Sequence, residues 1–289
     1  MIKKNYLATF AKSFNWAGFF LPKDTYEECS KLYAFCRILD DVVDSGQDLE
    51  IKKERFNEIK DILKLYKNRF TDNENMLIVN DMLILTENKN IKKIILDDLI
   101  DGIESDLKKE VNFTTVKELL IYSYRVAGTV GLMMAKILSV KDSRALKGAI
   151  DLGIAMQLTN IARDVIEDQK IGRKYIEKDF KNIKATLQLA DTFYESSFSS
   201  IKKIPFRYRF TILVARRIYR QIGRKIINKK NIEDYIKSGK IYVNNYGKIY
   251  QTILSLGDFI KLFFTKLENH QRLNEHNIIK EEIDINERI

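Results

Sequence analysis

The chain has 289 residues, 45% of them hydrophobic and 31% charged, with a formal net charge of +10. This is the balance of a soluble globular domain near the upper size that one core supports, and no apolar run is long enough to span a membrane. With only two prolines and twelve glycines, and no recurring Asn-Gly or Asp-Gly turns, the chain reads as all-α, a single bundle of long helices.

The N-terminus lacks an apolar leader and a small-residue cleavage site, so no signal peptide is expected. Residues 3–20 form an aromatic-rich helical segment that stops at Leu21-Pro22. Asp24 or Thr25 then caps a helix running through Asp44, which Ser45-Gly46 ends. Amphipathic helices are predicted over 50–70, 74–88 and 91–108, and Thr114-Thr115 caps a long segment to about Val140. Within that segment Ala127, Gly128, Gly131 and Ala135 make a strip of small residues, suited to another helix or to an apolar ligand. Asp142-Ser143 starts a helix that ends near Lys170 and is followed by the basic turn Gly172-Arg173-Lys174-Tyr175. Further helices are predicted over 184–203, 207–230 and 245–268, and a polar tail, partly disordered, from about 270.

Cys29 and Cys36 lie two helical turns apart, too far for a disulfide. Both histidines, His270 and His276, fall in the tail. Histidine metal sites and Ser-His or Cys-His triads are therefore not expected. The positive charge suits nucleic acid, an anionic membrane surface or an anionic substrate, and a compositional bias explains it equally well. Its local clusters, at Lys202-Lys203, Arg216-Arg217 and Lys229-Lys230, come with no nucleic-acid-binding motif.

Two acidic stripes remain. Tyr33, Arg37, Asp40, Asp41 and Asp44 share one face of a helix, and Gln157, Asn160, Asp164 and Asp168 share one face of another. An acidic pair at i,i+4 is usually a solvated face. Two matched stripes, each with an arginine and each embedded in apolar sequence, point instead to a hard cation between facing helices, with oxygen donors that suit Mg²⁺.

Taken together, Arg37-x-x-Asp40-Asp41-x-x-Asp44 and Gln157-x-x-Asn160-x-x-Arg163-Asp164-x-x-x-Asp168, with Gly172-Arg173-x-Tyr175, resemble the squalene/phytoene synthase family. The resemblance extends to Lys12-Ser13-Phe14, Leu21-Pro22, Tyr122-x-x-x-Val126-Ala127-Gly128-Thr129-Val130-Gly131 and Ala215-Arg216-Arg217-Ile218-Tyr219, and so covers roughly residues 8–255. It implies an isoprenoid-synthase bundle around a central cavity, and head-to-head condensation of two prenyl diphosphates through a cyclopropylcarbinyl diphosphate. It implies Mg²⁺, with Mn²⁺ as a substitute, on Asp40, Asp44, Asn160, Asp164 and Asp168. Arg37, Arg163, Arg173, Tyr175 and Lys12 then meet diphosphate, Tyr33, Tyr122 and Tyr219 stand near the reacting carbons, and Ser13 and Phe14 cover the pocket. Gln157, Gly128 and Ala135 are further substrate-binding candidates. The look is closest to bacterial phytoene synthases, which take C20 substrates, with dehydrosqualene or squalene synthase as the C15 alternative and NADPH only for a squalene synthase. A cytoplasmic protein, with peripheral membrane contact for product release, is expected.

The chain departs from the family pattern at Ala162, Ile166, Ile176-Glu177 and Lys240, none of which removes a ligand. Head-to-tail synthases and terpene cyclases carry a different second motif. A non-catalytic relative acting as an assembly factor is disfavoured because every aspartate is present.

Overall fold

A computed structural model describes residues 6–65, 73–270 and 273–289. The expected helices reach into residues 3–5 and 66–70, which lie outside the described residues. The elements, in order, are α1 (Tyr6–Phe10), α2 (Lys12–Gly18), α3 (Lys23–Asp44), α4 (Leu49–Leu65), α5 (Glu74–Asn88) and α6 (Lys93–Glu104). A two-residue strand β1 (Val111–Asn112) precedes α7 (Val116–Ser123), a π-helical turn (Tyr124–Gly128) and α8 (Thr129–Ile137). Then come α9 (Ser143–Lys170), β2 (Arg173–Lys174), α10 (Phe180–Phe198), a 3₁₀ turn (Ser199–Lys203) and α11 (Phe206–Ile227). Helices α12 (Ile232–Lys237), α13 (Asn245–Phe264), α14 (Asn274–Lys280) and α15 (Ile285–Arg288) complete the chain.

α9 is the axis of the bundle. Its apolar residues, from Ala145 to Val165, are buried on every side except the polar stripe, as befits a helix enclosed by others. It packs against α8, α10 and α11. The approach of α8 is at backbone distance. A Cβ on Gly131 would meet the Ala149 carbonyl at 2.1 Å, and one on Gly153 would meet the Ala127 carbonyl at 2.1 Å.

Several helix starts follow their caps. Thr115 and Glu118 form a capping box at α7, and the Asp142 side chain accepts from the Arg144 N–H at the start of α9. At α3 the expected cap is replaced. Pro22 occupies the N-cap position and α3 begins at Lys23, while the Thr25 hydroxyl hydrogen-bonds Tyr208 at 3.2 Å. The Pro22 ring fixes the entering backbone, and no side chain caps the helix. The first helical segment is broken at Ala11, and the segment after Thr115 is interrupted by the π turn, where the Thr129 N–H donates to Tyr124 O.

The expectation of a partly disordered tail gives way, over residues 273–289, to two short helices. α14 and α15 fold back on the body, with Ile279 and Ile283 fully buried. Arg288 pairs with buried Asp98 at 3.0 Å, and Asp98 also accepts from Tyr124 OH at 2.9 Å. The averaged polarity of this stretch hid isoleucines that reappear at helical spacing among the charges.

Candidate active site

α3 and α9 bring their acidic stripes to one cleft, and the β1–β2 pair closes its side. The strands run parallel, with the Val111 N–H on Gly172 O at 3.0 Å and the Phe113 N–H on Lys174 O at 2.9 Å. The turn into β2 needs Gly172, whose φ of +78° is costly for other residues. This ladder holds Arg173 over the cleft, where it pairs with Asp44 at 2.8 Å. A residue just past α9 thereby bridges to α3. Arg37 engages Asp41 on its own helix. Arg163 is bidentate to Asp164 at 2.8 and 2.5 Å, and Lys240 reaches the same carboxylate at 3.2 Å.

The cleft holds more negative charge than these cations neutralise. Asp40 is open to solvent at the cleft surface yet recessed in protein mass, and it is raised to about 7, first by that recess and then by Asp44. Asp168, half-buried, is also raised to about 7 by desolvation and by Asp164, against the pull of Arg173. Asp44 and Asp106 act on both groups, which shows that the two stripes share one field. Asn160 Oδ1 is buried with no hydrogen-bond partner among the described residues. An unsatisfied amide oxygen beside crowded carboxylates is the donor set of a hard cation. Asp40, Asp44, Asn160, Asp164 and Asp168 carry oxygen donors of that kind.

Sequence reasoning missed Asp106, an isolated aspartate just past α6 that belongs to no stripe. It accepts Tyr122 OH at 2.7 Å and Tyr175 OH at 2.9 Å, and the two hydroxyls are 3.0 Å apart. Their rings stack at 4.8 Å with Phe113 against both. Desolvation and then Asp106 keep both phenols protonated, far above the usual tyrosine range. Tyr235 was missed too, and its hydroxyl donates to the carbonyls of Ala162 and Arg163 at 3.1 and 2.7 Å.

Beside the cleft lies an apolar cavity enclosing about 1420 Å³ of empty space, its opening included. Gln157 and Asn160 line it, together with Tyr33 and Phe14. Phe14 touches Tyr219 at 4.8 Å between ring centres. Burial raises Tyr33 to about 12 and also raises Tyr219, the latter against the pull of Arg163. The predicted tyrosines thus fall into two groups: Tyr33 on the cavity wall with Tyr219 behind Phe14, and Tyr122 with Tyr175 on Asp106. The small-residue strip divides as well. Ala127, Gly131 and Ala135 line the cavity, whereas a Cβ on Gly128 would meet Ile150 and Tyr124 at 3.1 Å. Gly128 therefore serves helix packing and is not part of the cavity wall. On α2, Lys12 is exposed and Ser13 half-buried. Both histidine side chains are buried, against the expectation of a polar tail.

Residues 7–180 match the squalene/phytoene synthase family model. The chain belongs to the squalene/phytoene synthase family. It is 33% identical over 239 residues to a 15-cis-phytoene synthase from a Paracoccus species, covering 75% of this chain and 78% of that one. It is 30% identical to the 4,4'-diapophytoene synthase of Staphylococcus haemolyticus, covering 83% and 90% of the two chains. Among solved structures, a dehydrosqualene synthase aligns with a TM-score of 0.71 and 26% identity, covering 88% of this chain and 94% of that one. This squalene/phytoene synthase family member is an all-α enzyme, a prenyltransferase of the phytoene and squalene synthase type. No described helix is long and apolar enough to cross a membrane.

Proposed function

We propose that the enzyme condenses two geranylgeranyl diphosphates head to head to phytoene, with divalent metal assisting loss of diphosphate. The observation that carries this reading is the junction at Gln157 and Asn160, where a cleft of carboxylates and arginines meets a large apolar cavity. A prenyl diphosphate has the same two halves. Its diphosphate suits Arg37, Arg163 and Arg173, and its tail gains about 0.8 kcal/mol for each CH₂ removed from water. Lys12 stands near Lys248, whose own charge is disfavoured by burial and then by Lys12, so a polyanion bound there would favour the charged form of Lys248.

Mg²⁺, or Mn²⁺ in its place, held by Asp40, Asp44, Asn160, Asp164 and Asp168, supplies neutralisation of the charge on the departing diphosphate. The chain's own groups do the rest. Arg163 and Arg173 orient the diphosphates. The faces of Phe14, Tyr33 and Tyr219 shelter the allylic cation from water. The double bond of the second prenyl unit attacks that cation, and a proton leaves as the cyclopropane closes. Loss of the second diphosphate and of a further proton then yields the hydrocarbon. Asp106, which accepts from the hydroxyls of Tyr122 and Tyr175, is the member of this trio able to take up a proton at the cleft, since both phenols stay protonated.

The C15 reading, two farnesyl diphosphates to dehydrosqualene, is favoured by the diapophytoene and dehydrosqualene synthase relatives, whose lengths are more fully covered than that of the Paracoccus enzyme. Incubation with each prenyl diphosphate and Mg²⁺, with and without NADPH, followed by identification of the hydrocarbon, decides the matter. Phytoene supports the proposal, a C30 product supports the second reading, and a C30 product formed only with NADPH marks a squalene synthase. No hydrocarbon from any substrate overturns both readings in favour of a non-catalytic relative.

Such a product has no polar group and must leave into lipid. α13 presents Tyr246, Tyr250, Ile253, Ile260 and Phe264 to solvent, with exposed Phe19 on the neighbouring α2 side. The enzyme rests this face on an anionic membrane surface, in keeping with its net charge of +10. Flotation with anionic vesicles tests this, and Ile253→Glu with Ile260→Glu should abolish it while turnover of detergent-dispersed substrate persists. Equal flotation by wild type and variant would sink the assignment.

A further inference from the structure

The two histidines of the chain, far from the acidic stripes in sequence, meet at one buried carboxylate on α9. His270 Nε2 lies 2.9 Å and His276 Nε2 3.0 Å from the same oxygen, Oδ1 of Asp151. Ser196 Oγ donates to the other oxygen at 2.6 Å, which fixes the carboxylate with Oδ1 towards the imidazoles. All three side chains are nine-tenths or more buried.

Hydrogen bonding leaves this cluster incomplete. His270 Nε2 is within contact of Oδ1 but makes no hydrogen bond with it, and His276 Nδ1 is also buried without a partner. The two rings stack at 4.1 Å with an interplanar angle of 16°, and both turn Nε2 towards the same Oδ1 of Asp151. Three donor atoms that all lie within 4.8 Å of one another suit a shared ion. Two imidazoles and a carboxylate are the donors of a borderline metal, in contrast to the all-oxygen set of the cleft. Bonds of about 2.0–2.1 Å to a tetrahedral ion separate its ligands by roughly 3.3 Å, close to the observed spacing. A small cavity beside the rings, also lined by Lys147, Asn277 and Asp284, has room for about one water as a fourth ligand.

We infer that Asp151, His270 and His276 form a structural site for a divalent transition metal, Zn²⁺ by its chemistry, which fastens the C-terminal segment to α9. Asp151 lies on the helix that carries Asn160, Asp164 and Asp168, about 13 Å along the axis from Asn160. The site therefore braces the helix that bears half of the cleft, through a tail that is also joined to the body by buried isoleucines and by the ion pairs Arg288–Asp98, Lys117–Glu281 and Arg125–Glu282. The inference stands on this geometry alone and does not depend on which prenyl substrate is used.

The test uses the full-length, metal-stripped protein. One equivalent of Co²⁺ should give the intense visible bands of a four-coordinate ion with nitrogen ligands, and Zn²⁺ in slight excess should remove them while Mg²⁺ should not. His270→Gln and His276→Gln should each abolish the bands. In the wild-type protein, hydrogen exchange of residues 273–289 should slow by about tenfold or more with Zn²⁺ and stay unchanged with Mg²⁺, a readout that needs no variant. Absence of the bands in the wild type, their survival in both variants, or Zn²⁺-independent exchange of the tail overturns the assignment.

Discussion

Asp168→Asn should make the metal-free protein more stable, and the gain should depend on pH. Asp168 is half-buried, faces Asp164 along its own helix, and is raised from 3.8 to about 7. At 1.36 kcal/mol per tenfold change in proton affinity, that span sets a ceiling of about 4 kcal/mol on the penalty of ionising it in the fold. Water in the cleft and relaxation of neighbours reduce this to about 1–2 kcal/mol. Because the folded-state pKa lies above the unfolded one, the penalty is absent below about pH 4, grows as pH rises, and is complete above about pH 7. Thermal denaturation in EDTA at pH 8 should therefore show Asp168→Asn melting about 2–3 °C above wild type for a chain of this size. At pH 5 the difference should shrink by more than half. Mg²⁺ should raise the Tm of the wild type more than that of the variant, since the cation relieves the same repulsion. A variant no more stable than wild type at pH 8 in EDTA, or a gain of equal size at both pH values, would refute the reasoning.

Asp40→Asn and Asp164→Asn should each lower turnover by at least about a hundredfold with the fold intact, and EDTA should abolish wild-type turnover until Mg²⁺ is restored; near-normal steady-state rates in either variant would remove that carboxylate from the ligand set. Asp106→Ala takes the shared acceptor from Tyr122 and Tyr175 and should cost about 1–3 kcal/mol in urea denaturation, with a fall of about tenfold in kcat; a variant unchanged in both would show that the tyrosines hold their places without it. Ala135→Phe fills the cavity wall and should slow a C20 substrate more than a C15 one, with Mg²⁺ dependence unchanged; lost stability of roughly 1–3 kcal/mol with an unaltered C20/C15 ratio would instead mark a packing position.

The helical character of the chain was readable without coordinates, because scarce proline and glycine and repeated capping residues act within a few residues of themselves. Thr115 and Asp142 cap the helices expected of them, while Pro22 took over the role assigned to Asp24 or Thr25. The two acidic stripes were equally legible, since residues three and four apart must share a helix face whatever surrounds them. What they face is a matter of tertiary packing. Asp106 carries no periodic signal and becomes significant only where Tyr122 and Tyr175 converge on it. The same holds for Gly128, which its neighbours in sequence group with the cavity wall and its neighbours in space assign to Ile150 and Tyr124. The histidines show the limit most clearly. Composition placed His270 and His276 in a polar tail, and Asp151 is more than a hundred residues away in the chain. Local sequence determines which helix a side chain sits on and which face it takes, because those depend on short-range geometry. Which distant groups share a low-dielectric site depends on how the helices are assembled, and only the packed structure decides that.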